Sequence, residues 1–419
     1  MPDLRQIIAR NRAGEAIAIP SVCTAHPDAL EASLTLAETL DQPIVVEATS
    51  NQVNQDGGYT GLRPANFLSF VRAIATKSHV ARERILFGGD HLGPQAWRKL
   101  PAEDAMQKAH RMVADYAAAG FTKIHLDCSE GCLGETAQLP DETTATRSAA
   151  LAATALKHAP DATKLLFVIG TEVPPPGGAR TDDHGDIPPT TPDSAKSTLE
   201  AHRDAFNAAQ IPLDQIGGLV VQPGVEFSPM EVHHLPLARD PGLLGALTDW
   251  PGVCLEAHST DYQHPEAYPR LAQLGFAFQK VGPALTFAWR EALYALDTMR
   301  AQTGWSTGPS LPDAMEEVML ANPGHWKAHI HGPEQRLQRH FGLADRIRYY
   351  WPDAKAQAAV QRLLTDLADK HLPDPLLAAH FRPSEIAIAR KSRHPLPRAL
   401  ALARVQTALR PYFFTGPRP

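Results

Sequence analysis

The sequence contains little cysteine and no long apolar run. Four cysteines among 419 residues are too few for a disulfide framework, and Cys128 and Cys132 lack a second pair with the spacing of a zinc site. We therefore expect buried or incidental thiols. No 18 uncharged apolar residues follow one another, and the N-terminus has no apolar segment of signal-peptide length. These absences argue against a membrane partner and favour a cytoplasmic protein.

The sequence also lacks an excess of positive charge. With 40 basic and 46 acidic residues, its net charge of −6 creates no field that would attract nucleic acid or an anionic membrane surface. There is no G-x-x-x-x-G-K-[ST] loop and no kinase-type glycine loop paired with a lysine-bearing strand. The sequence therefore predicts neither a nucleic-acid-binding protein nor a kinase.

What the sequence does contain is a repeated unit, a short apolar run that ends in polar residues and precedes an amphipathic helix. Nearly continuous apolar runs are typical of strands buried on both faces. Eight successive units predict a (β/α)8 barrel, whereas a doubly wound sheet would need a reversal of strand order. The eight runs are Ile17–Ala25, Ile44–Ala48, Ile85–Gly89, Lys123–Leu126, Leu165–Gly170, Leu219–Gln222, Val253–Ala257 and Phe276–Val281.

Segments with helical periodicity lie between the apolar runs and continue after the last of them. It is clear at Asp28–Leu40 and at Ala102–Ala119, which a glycine follows. From about residue 301 the strand pattern ceases, and helical patterns such as Asp313–Leu320 and Ala354–Ala368 dominate. We therefore expect a barrel domain over residues 1–300 and a helical C-terminal extension over residues 301–419 that packs on the barrel.

One loop departs from the repeat. Pro174–Pro192, directly after the fifth run, is rich in proline, glycine and polar residues. It is longer than an ordinary connection between a strand and a helix. We interpret it as a candidate active-site lid.

Polar side chains concentrate at the C-terminal ends of the predicted strands, where barrel enzymes place their catalytic groups. Imidazoles with adjacent carboxylates suit a divalent cation. So many acids in a barrel core would be unstable unless a metal, a lysine or protonation neutralised them. Pairing with Lys123 or Lys280 remains the alternative for any single acid. The metal candidates are His91, His125 and His258, and the catalytic candidates are Asp90, Asp127 and Glu172.

The same rim offers groups that could bind a substrate. Backbone amides at a helix start favour a phosphate, and barrels often bind one after strands seven and eight, which here suggests Ser259, Thr260 and Gly282. Glycine also occurs wherever a turn needs it, so a turn remains the alternative role for Gly282. Lys280 could form a Schiff base, although a charge-pairing role is preferred. The substrate-binding candidates are Glu47, Asn51, Gln52, Gln222, Ser259, Asp261, Lys280 and Gly282.

At these residues the sequence resembles the GatZ/KbaZ family, the Z subunits of class II D-tagatose-1,6-bisphosphate aldolase. The segments EATSNQVNQDGGYTG, GGDHLGP, KIHLD, EAHSTDYQ and DRIRYYWP carry the resemblance. It implies a barrel related to class II aldolases, in which Asp90 transfers protons and His91 and His258 bind zinc. The third ligand histidine of class II aldolases has no counterpart in VVQPGVEF, which offers Gln222 and Glu226. Glu172 and His125 are the expected substitutes.

The resemblance implies two functions of different classes. One is a noncatalytic subunit that stabilises a separate aldolase subunit. The other is a C4-epimerase that interconverts D-tagatose 6-phosphate and D-fructose 6-phosphate by retro-aldol and aldol steps. A pure stabilising subunit has no need of buried acids and histidines, which cost stability, so we favour the enzyme. We expect a divalent metal, zinc or alternatively manganese, a ketohexose phosphate substrate and a homo-oligomer.

Overall fold

The computed structural model describes residues 3–170 and 187–414. Eight parallel strands close into a barrel in which each strand pairs with its neighbours in chain order and the last pairs with the first. The predicted barrel is therefore confirmed, and every predicted run overlaps a strand. The barrel strands are β1 Ile19–Cys23, β2 Ile44–Thr49, β3 Ile85–Leu92, β4 Lys123–Leu126, β5 Leu166–Ile169, β6 Ile216–Val220, β9 Cys254–Ala257 and β10 Phe276–Val281.

The interior of the barrel changes from apolar to charged along each strand. Alternate residues of a strand share a face, so Val45 and Glu47 of β2 point the same way, as do Phe278 and Lys280 of β10. Val45 and Phe278 belong to an apolar cluster that fills the N-terminal half. Glu47 and Lys280 belong to the polar layer above it, where their side chains meet. The strand sequences therefore place the charges towards the C-terminal mouth.

A short helix, α1 (Leu4–Arg12), closes the opposite end of the barrel. Its apolar residues Ile7 and Ile8 join the cluster inside the barrel. The Arg5 guanidinium donates hydrogen bonds to the carbonyls of Leu165 and Asp214, which precede β5 and β6. The N-terminal end of the barrel is thus plugged, which leaves the C-terminal mouth for a site.

Helices surround the barrel. The predicted helices Asp28–Leu40 and Ala102–Ala119 both correspond to helices of the structure, with bounds that differ by at most one residue. The helices around the barrel are α2 Pro27–Thr39, α3 Pro64–Lys77, α4 Ala102–Ala119, α5 Asp141–His158, α6 Pro192–Ala208, α7 Ala267–Gln273 and α8 Pro283–Gln302. None of the described helices is long and apolar enough to cross a membrane.

The expectation that every strand precedes an amphipathic helix is wrong for the sixth unit. After β6 the chain forms an antiparallel hairpin, β7 (Glu226–Phe227) and β8 (Val232–His233), and then a short 3-10 helix at Leu243–Leu247. Prolines at positions 223, 229, 236 and 241 recur too often for an α-helix, because each removes an amide donor and clashes with the preceding turn.

The C-terminal extension is helical, as predicted, and it packs on the barrel helices. Helix α14 packs against both α8 and α2, and the Arg398 guanidinium lies 2.7 Å from carboxylate oxygens of Asp28 and Glu31 on α2. The division between residues 300 and 301 stays a prediction. The helices of the extension are α9 Leu311–Ala321, α10 Gln335–Phe341, α11 Ala354–Ala368, α12 Asp374–His380, α13 Pro383–Arg390 and α14 Leu396–Leu409.

Candidate active site

A buried network of acids and lysines lies just inside the mouth of the barrel. The two carboxylate oxygens of Glu47 each lie 2.6 Å from an ammonium nitrogen, that of Lys123 and that of Lys280. Glu256 bridges the same two lysines at 2.5 and 3.3 Å, and Asp90 also pairs with Lys280. All five side chains are almost fully buried, so their charges interact strongly.

Three imidazoles stand above this network. The ring centroids of His91, His125 and His258 form a triangle with sides of 5.1 Å. Each ring contacts a carboxylate at one nitrogen. His91 Nδ1 lies 2.7 Å from Asp127, His125 Nδ1 lies 2.9 Å from Asp90, and His258 Nε2 lies 2.9 Å from Glu256.

Carboxylates that hydrogen-bond to imidazoles fix the orientation of the rings, as they do for histidines in metal sites.

The backbone that carries these groups is strained at two positions. His91 and Ser259 have φ angles of 47° and 52°, in the left-handed region that residues other than glycine rarely adopt. Such strain is common at functional sites, where the surrounding structure enforces it. His91 directly follows Asp90, and in this backbone conformation its ring lies beside the other two imidazoles.

The charges of the network set its protonation state. Burial alone would raise the pKa of Asp90, but His91 and Lys280 outweigh it and hold that pKa well below its ordinary value. Burial likewise opposes the ionisation of Glu256, yet Lys123 and Lys280 hold its pKa well below the usual range. Burial and the charge of Lys280 lower the pKa of His258 to about 3. At neutral pH Asp90 and Glu256 are ionised and His258 is uncharged, whereas Asp90 and Asp127 raise the pKa of His91 against the effect of burial.

The cluster fits a divalent cation. One nitrogen or oxygen from each of Asp90, His125, Glu256 and His258 lies within 4.8 Å of the others. The Nε2 atom of His125 is buried without a hydrogen-bond partner among the described residues. Four carboxylates, counting Asp127, face two lysines and His91, whose pKa Asp90 and Asp127 raise, and the remaining negative charge is one that a divalent cation would balance. Neutral imidazole and carboxylate are suitable ligands for such an ion.

A second group of possible donors, Cys23, Glu47 and Asp90, shares Asp90 with the first. The ammonium of Lys280 already pairs with both of its carboxylates. Lys280 pairs with both carboxylates of the first group as well. Of the two groups only the first contains imidazoles, among them that of His125, whose Nε2 has no partner in the described part of the chain, and it is therefore the better candidate for a cation.

A cavity of about 100 Å³ opens above the cluster. Six of the eight predicted substrate-binding residues line it. The other two do not, because Glu47 lies below the cavity in the buried network, and the Gln222 side chain accepts hydrogen bonds from the backbone amides of Gly224 and Val225 in its own loop. Glu172 and residues 174–186 of the predicted lid lie outside the described residues. The lining residues are Cys23, Thr49, Asn51, Gln52, Tyr59, Asp90, His91, Phe227, His258, Ser259, Asp261, Lys280, Val281, Gly282, Pro283, Arg348 and Tyr349.

The amides suggested for a phosphate at the start of α8 are bound by the protein itself. Asp261 accepts hydrogen bonds from the amides of Gly282 at 3.0 Å and Ala284 at 2.8 Å. Burial nevertheless raises the pKa of Asp261 to about 6, against the effect of these amides. The Thr260 hydroxyl donates to the Lys280 carbonyl at 2.5 Å and also contacts the Tyr412 hydroxyl. These groups are therefore committed to holding β10 and α8 in place.

Sequence reasoning selected most of the cluster but not all of it. Glu256 is one of the strand-end acids that the sequence groups with the three imidazoles around a cation, but it was not selected as a ligand, although it lies two residues before His258 and so on the same face. Cys23 was expected to be incidental, yet its Sγ lies 3.0 Å from Asp90 Oδ2. Arg348 reaches the cavity from the C-terminal extension, a placement that no local pattern indicates.

The fold and the site define a (β/α)8 barrel whose C-terminal mouth holds a buried carboxylate and imidazole cluster able to bind a metal. The chain belongs to the family described as D-tagatose-1,6-bisphosphate aldolase subunit GatZ/KbaZ-like, whose model matches residues 4–416.

Two relatives match over nearly their whole length. The D-tagatose 6-phosphate 4-epimerase of Agrobacterium fabrum (strain C58 / ATCC 33970) is 45% identical over 391 residues, which is 90% of each chain. A crystal structure described as a probable tagatose 6 phosphate kinase from Sinorhizobium meliloti 1021 is also 45% identical. Its match covers 94% of this chain and 99% of that chain, with a TM-score of 0.86.

Proposed function

We propose that this protein is a metal-dependent epimerase that interconverts D-tagatose 6-phosphate and D-fructose 6-phosphate at C4. The observation that carries the proposal is the buried cluster, in which Asp90 lies among three imidazoles and two lysines beneath a cavity. The Agrobacterium relative named for this reaction supports the choice of substrate. The kinase name of the Sinorhizobium structure finds no counterpart in a nucleotide-binding loop of this sequence.

The residues that would hold the metal are His125, His258 and Glu256, with His91 beside them. We propose zinc, with manganese as the alternative, since imidazole and carboxylate suit both. When bound, the ion would polarise the ketose carbonyl and stabilise negative charge that develops on the neighbouring oxygen. Asp127 would act as a positioning residue, because its carboxylate fixes the ring of His91.

Asp90 is the proposed proton-transfer residue. Its ionised carboxylate takes the proton of the C4 hydroxyl, and the C3–C4 bond breaks to leave an enediolate over C1 to C3 and an aldehyde at C4. The aldehyde rotates, C3 of the enediolate attacks its opposite face, and Asp90 returns the proton to the oxygen at C4. Atoms and electrons balance, and only the configuration at C4 changes. Glu172 is retained as a second proposed proton-transfer carboxylate.

The noncatalytic subunit is the weaker explanation of the cluster. A stabilising subunit gains nothing from four carboxylates and two lysines buried together, since burial of charge costs free energy even when the charges are paired. We propose that the protein forms a homo-oligomer. We propose further that this assembly, and any role as a subunit beside a separate aldolase, is distinct from the catalytic role of the barrel. We also propose that the chain divides into a barrel of residues 1–300 and an extension of residues 301–419.

The test is direct conversion of the sugars. Purified protein is incubated with tagatose 6-phosphate, with a chelator or with added zinc or manganese, while both sugars are followed. We expect conversion that the chelator abolishes. Asp90→Asn should lower the rate by about 10²–10⁴-fold, the usual contribution of a general acid or base, while Asp104→Asn on the surface of α4 should not. Failure of the wild type with every metal would leave the noncatalytic subunit as the explanation.

A further inference from the structure

Arg348 differs from Lys280, the other basic residue at the cavity, because no carboxylate of the described residues forms a direct ion pair with it. Among residues 3–170 and 187–414, no acidic oxygen lies within 4.0 Å of its guanidinium nitrogens. Its guanidinium donates hydrogen bonds to uncharged groups, namely the carbonyls of Ala344 and Asp345 and the hydroxyl of Tyr349 at 2.9 Å. Lys280, by contrast, pairs with three carboxylates. Arg348 therefore lacks a direct ion pair in the described cavity wall, and the carboxylates of Asp345 and Asp261 interact with its charge only from farther away.

The position of Arg348 is fixed by contacts between the extension and the barrel. It lies in a 3-10 helix, Arg346–Tyr350, which directly follows Asp345. The Asp345 carboxylate accepts a hydrogen bond from Thr286 of α8 at 2.5 Å and lies 3.6 Å from the buried Arg290. The guanidinium is thus held at the rim of the cavity, and little conformational entropy would be lost when it binds a ligand.

The chemistry of this site selects an anion. A partly buried guanidinium without a direct ion pair is costly, and an anion that enters the cavity would offset the cost. Guanidinium binds phosphate oxygens through two parallel hydrogen bonds, a geometry that lysine cannot reproduce. The amides at the start of α8 are unavailable to that anion, because Asp261 accepts them.

We propose that Arg348 binds the phosphate of the sugar substrate, so that the C-terminal extension supplies part of the substrate site. The identity of the sugar rests on the proposed function, whereas the anion site does not. The phosphate of a ketohexose 6-phosphate belongs to the C4–C6 half, and Arg348 therefore holds the half that becomes the aldehyde.

The first test compares kinetics on phosphorylated and unphosphorylated sugar. We expect Arg348→Met to lower the ratio of kcat/KM for tagatose 6-phosphate to kcat/KM for tagatose by about 10- to 100-fold, mainly through KM, as is usual for a lost charged hydrogen bond. Arg346→Met is the matched control, since that guanidinium donates to the His325 carbonyl and does not line the cavity. A purely structural role of Arg348 would lower stability without changing this ratio.

The second test needs no turnover. Calorimetric titration with inorganic phosphate should show binding to the wild type and to Arg346→Met, and binding at least about tenfold weaker to Arg348→Met. If the wild type converts no sugar yet binds phosphate through Arg348, the proposed function fails and the anion site stands. Equal phosphate affinity and an unchanged kinetic ratio in Arg348→Met would overturn the inference. If that variant does not fold, Arg348→Lys decides in its place, because loss of the two-point contact should still weaken binding.

Discussion

At the scale of single residues, Glu256 has two roles that oppose each other. One carboxylate oxygen lies 2.5 Å from the ammonium of Lys123, and the other lies 2.9 Å from Nε2 of His258. The lysine keeps the carboxylate ionised, and the carboxylate in turn fixes the ring of a neutral histidine. Because the side chain is fully buried, water and salt screen these contacts only weakly. Glu256 therefore couples the charge of the network to the metal candidates.

Replacement of Glu256 by glutamine should weaken metal binding. The variant keeps the size of the side chain but removes one negative charge and replaces one carboxylate oxygen, a possible metal ligand, by an amide nitrogen. We therefore expect the affinity for zinc or manganese to fall by about 10- to 100-fold. Equilibrium dialysis against a chelator of known affinity, followed by elemental analysis, measures this change. Glu103→Gln, the same change on the exposed face of α4, should have no effect. Wild-type affinity in Glu256→Gln would remove the residue from the metal site.

The residues that the sequence predicted share one property, a place at the end of a recognisable strand. Asp90, His91, His125 and His258 could be chosen because the C-terminal ends of barrel strands converge. Lys123 lies at the start of the short strand β4, which reaches the same layer because neighbouring strands are staggered in a barrel. The sequence could only suggest it as a charge partner, since stagger depends on the closed sheet.

At the scale of elements, the site depends on how closely the ends of β3 and β4 approach. Gly93 follows β3, and a Cβ atom at this position would lie 1.6 Å from the carbonyl oxygen of Asp127 just after β4. Only glycine permits this approach of two backbones. The contact sets the distance between His91 and Asp127, which bind each other across the two strands.

The variant Gly93→Ala should therefore disturb the site through the backbone. The added methyl group must push the Asp127 segment away, which we expect to lower the free energy of unfolding by about 1–3 kcal/mol and to reduce turnover. Thermal unfolding and the epimerisation assay measure the two effects. Gly252→Ala is the control, because its Cβ would meet nothing within 4 Å. Equal unfolding temperatures for the two variants would show that the strand ends can separate without cost.

Whether an element could be predicted from the sequence depends on its length and on its pattern of buried residues. Strands such as β10 are buried on both faces and were recognised as short, mainly apolar runs, with Phe276–Val281 both predicted and observed. The hairpin after β6 was not predicted, because each of its strands has only two residues. So short a strand has no periodicity to detect.

At the scale of the whole molecule, the extension completes the cavity that the barrel begins. The barrel supplies Asp90, His91 and His258, while Arg348 and Tyr349 belong to a segment that follows α10. Tyr349 contacts Tyr59 of the loop after β2 with ring centroids 4.8 Å apart. The sequence predicted the extension and its helices, but it could not predict that one turn of it enters the mouth of the barrel. That placement depends on tertiary packing between residues hundreds of positions apart.

The shared cavity bears on whether the cleaved sugar stays bound. In the proposed reaction the C3–C4 bond breaks, and the phosphate remains on the aldehyde fragment that must rotate and rejoin. With Arg348 on the phosphate, rotation about the C4–C5 bond can turn the aldehyde while its far end stays anchored. Retention of this fragment separates an epimerase from an aldolase, since the bond cleavage is common to both.

Loss of the Arg348 side chain should therefore release triose. We expect the wild type to epimerise tagatose 6-phosphate with little free glyceraldehyde 3-phosphate, and Arg348→Met to raise the ratio of triose released to sugar epimerised by at least about tenfold, equivalent to about 1.4 kcal/mol of lost retention. A coupled dehydrogenase assay for the triose phosphate, run beside the sugar assay, gives this ratio. Arg346→Met should keep the wild-type ratio. An unchanged ratio in Arg348→Met would mean that other groups retain the fragment, and a high ratio in the wild type would mean that the protein acts as an aldolase.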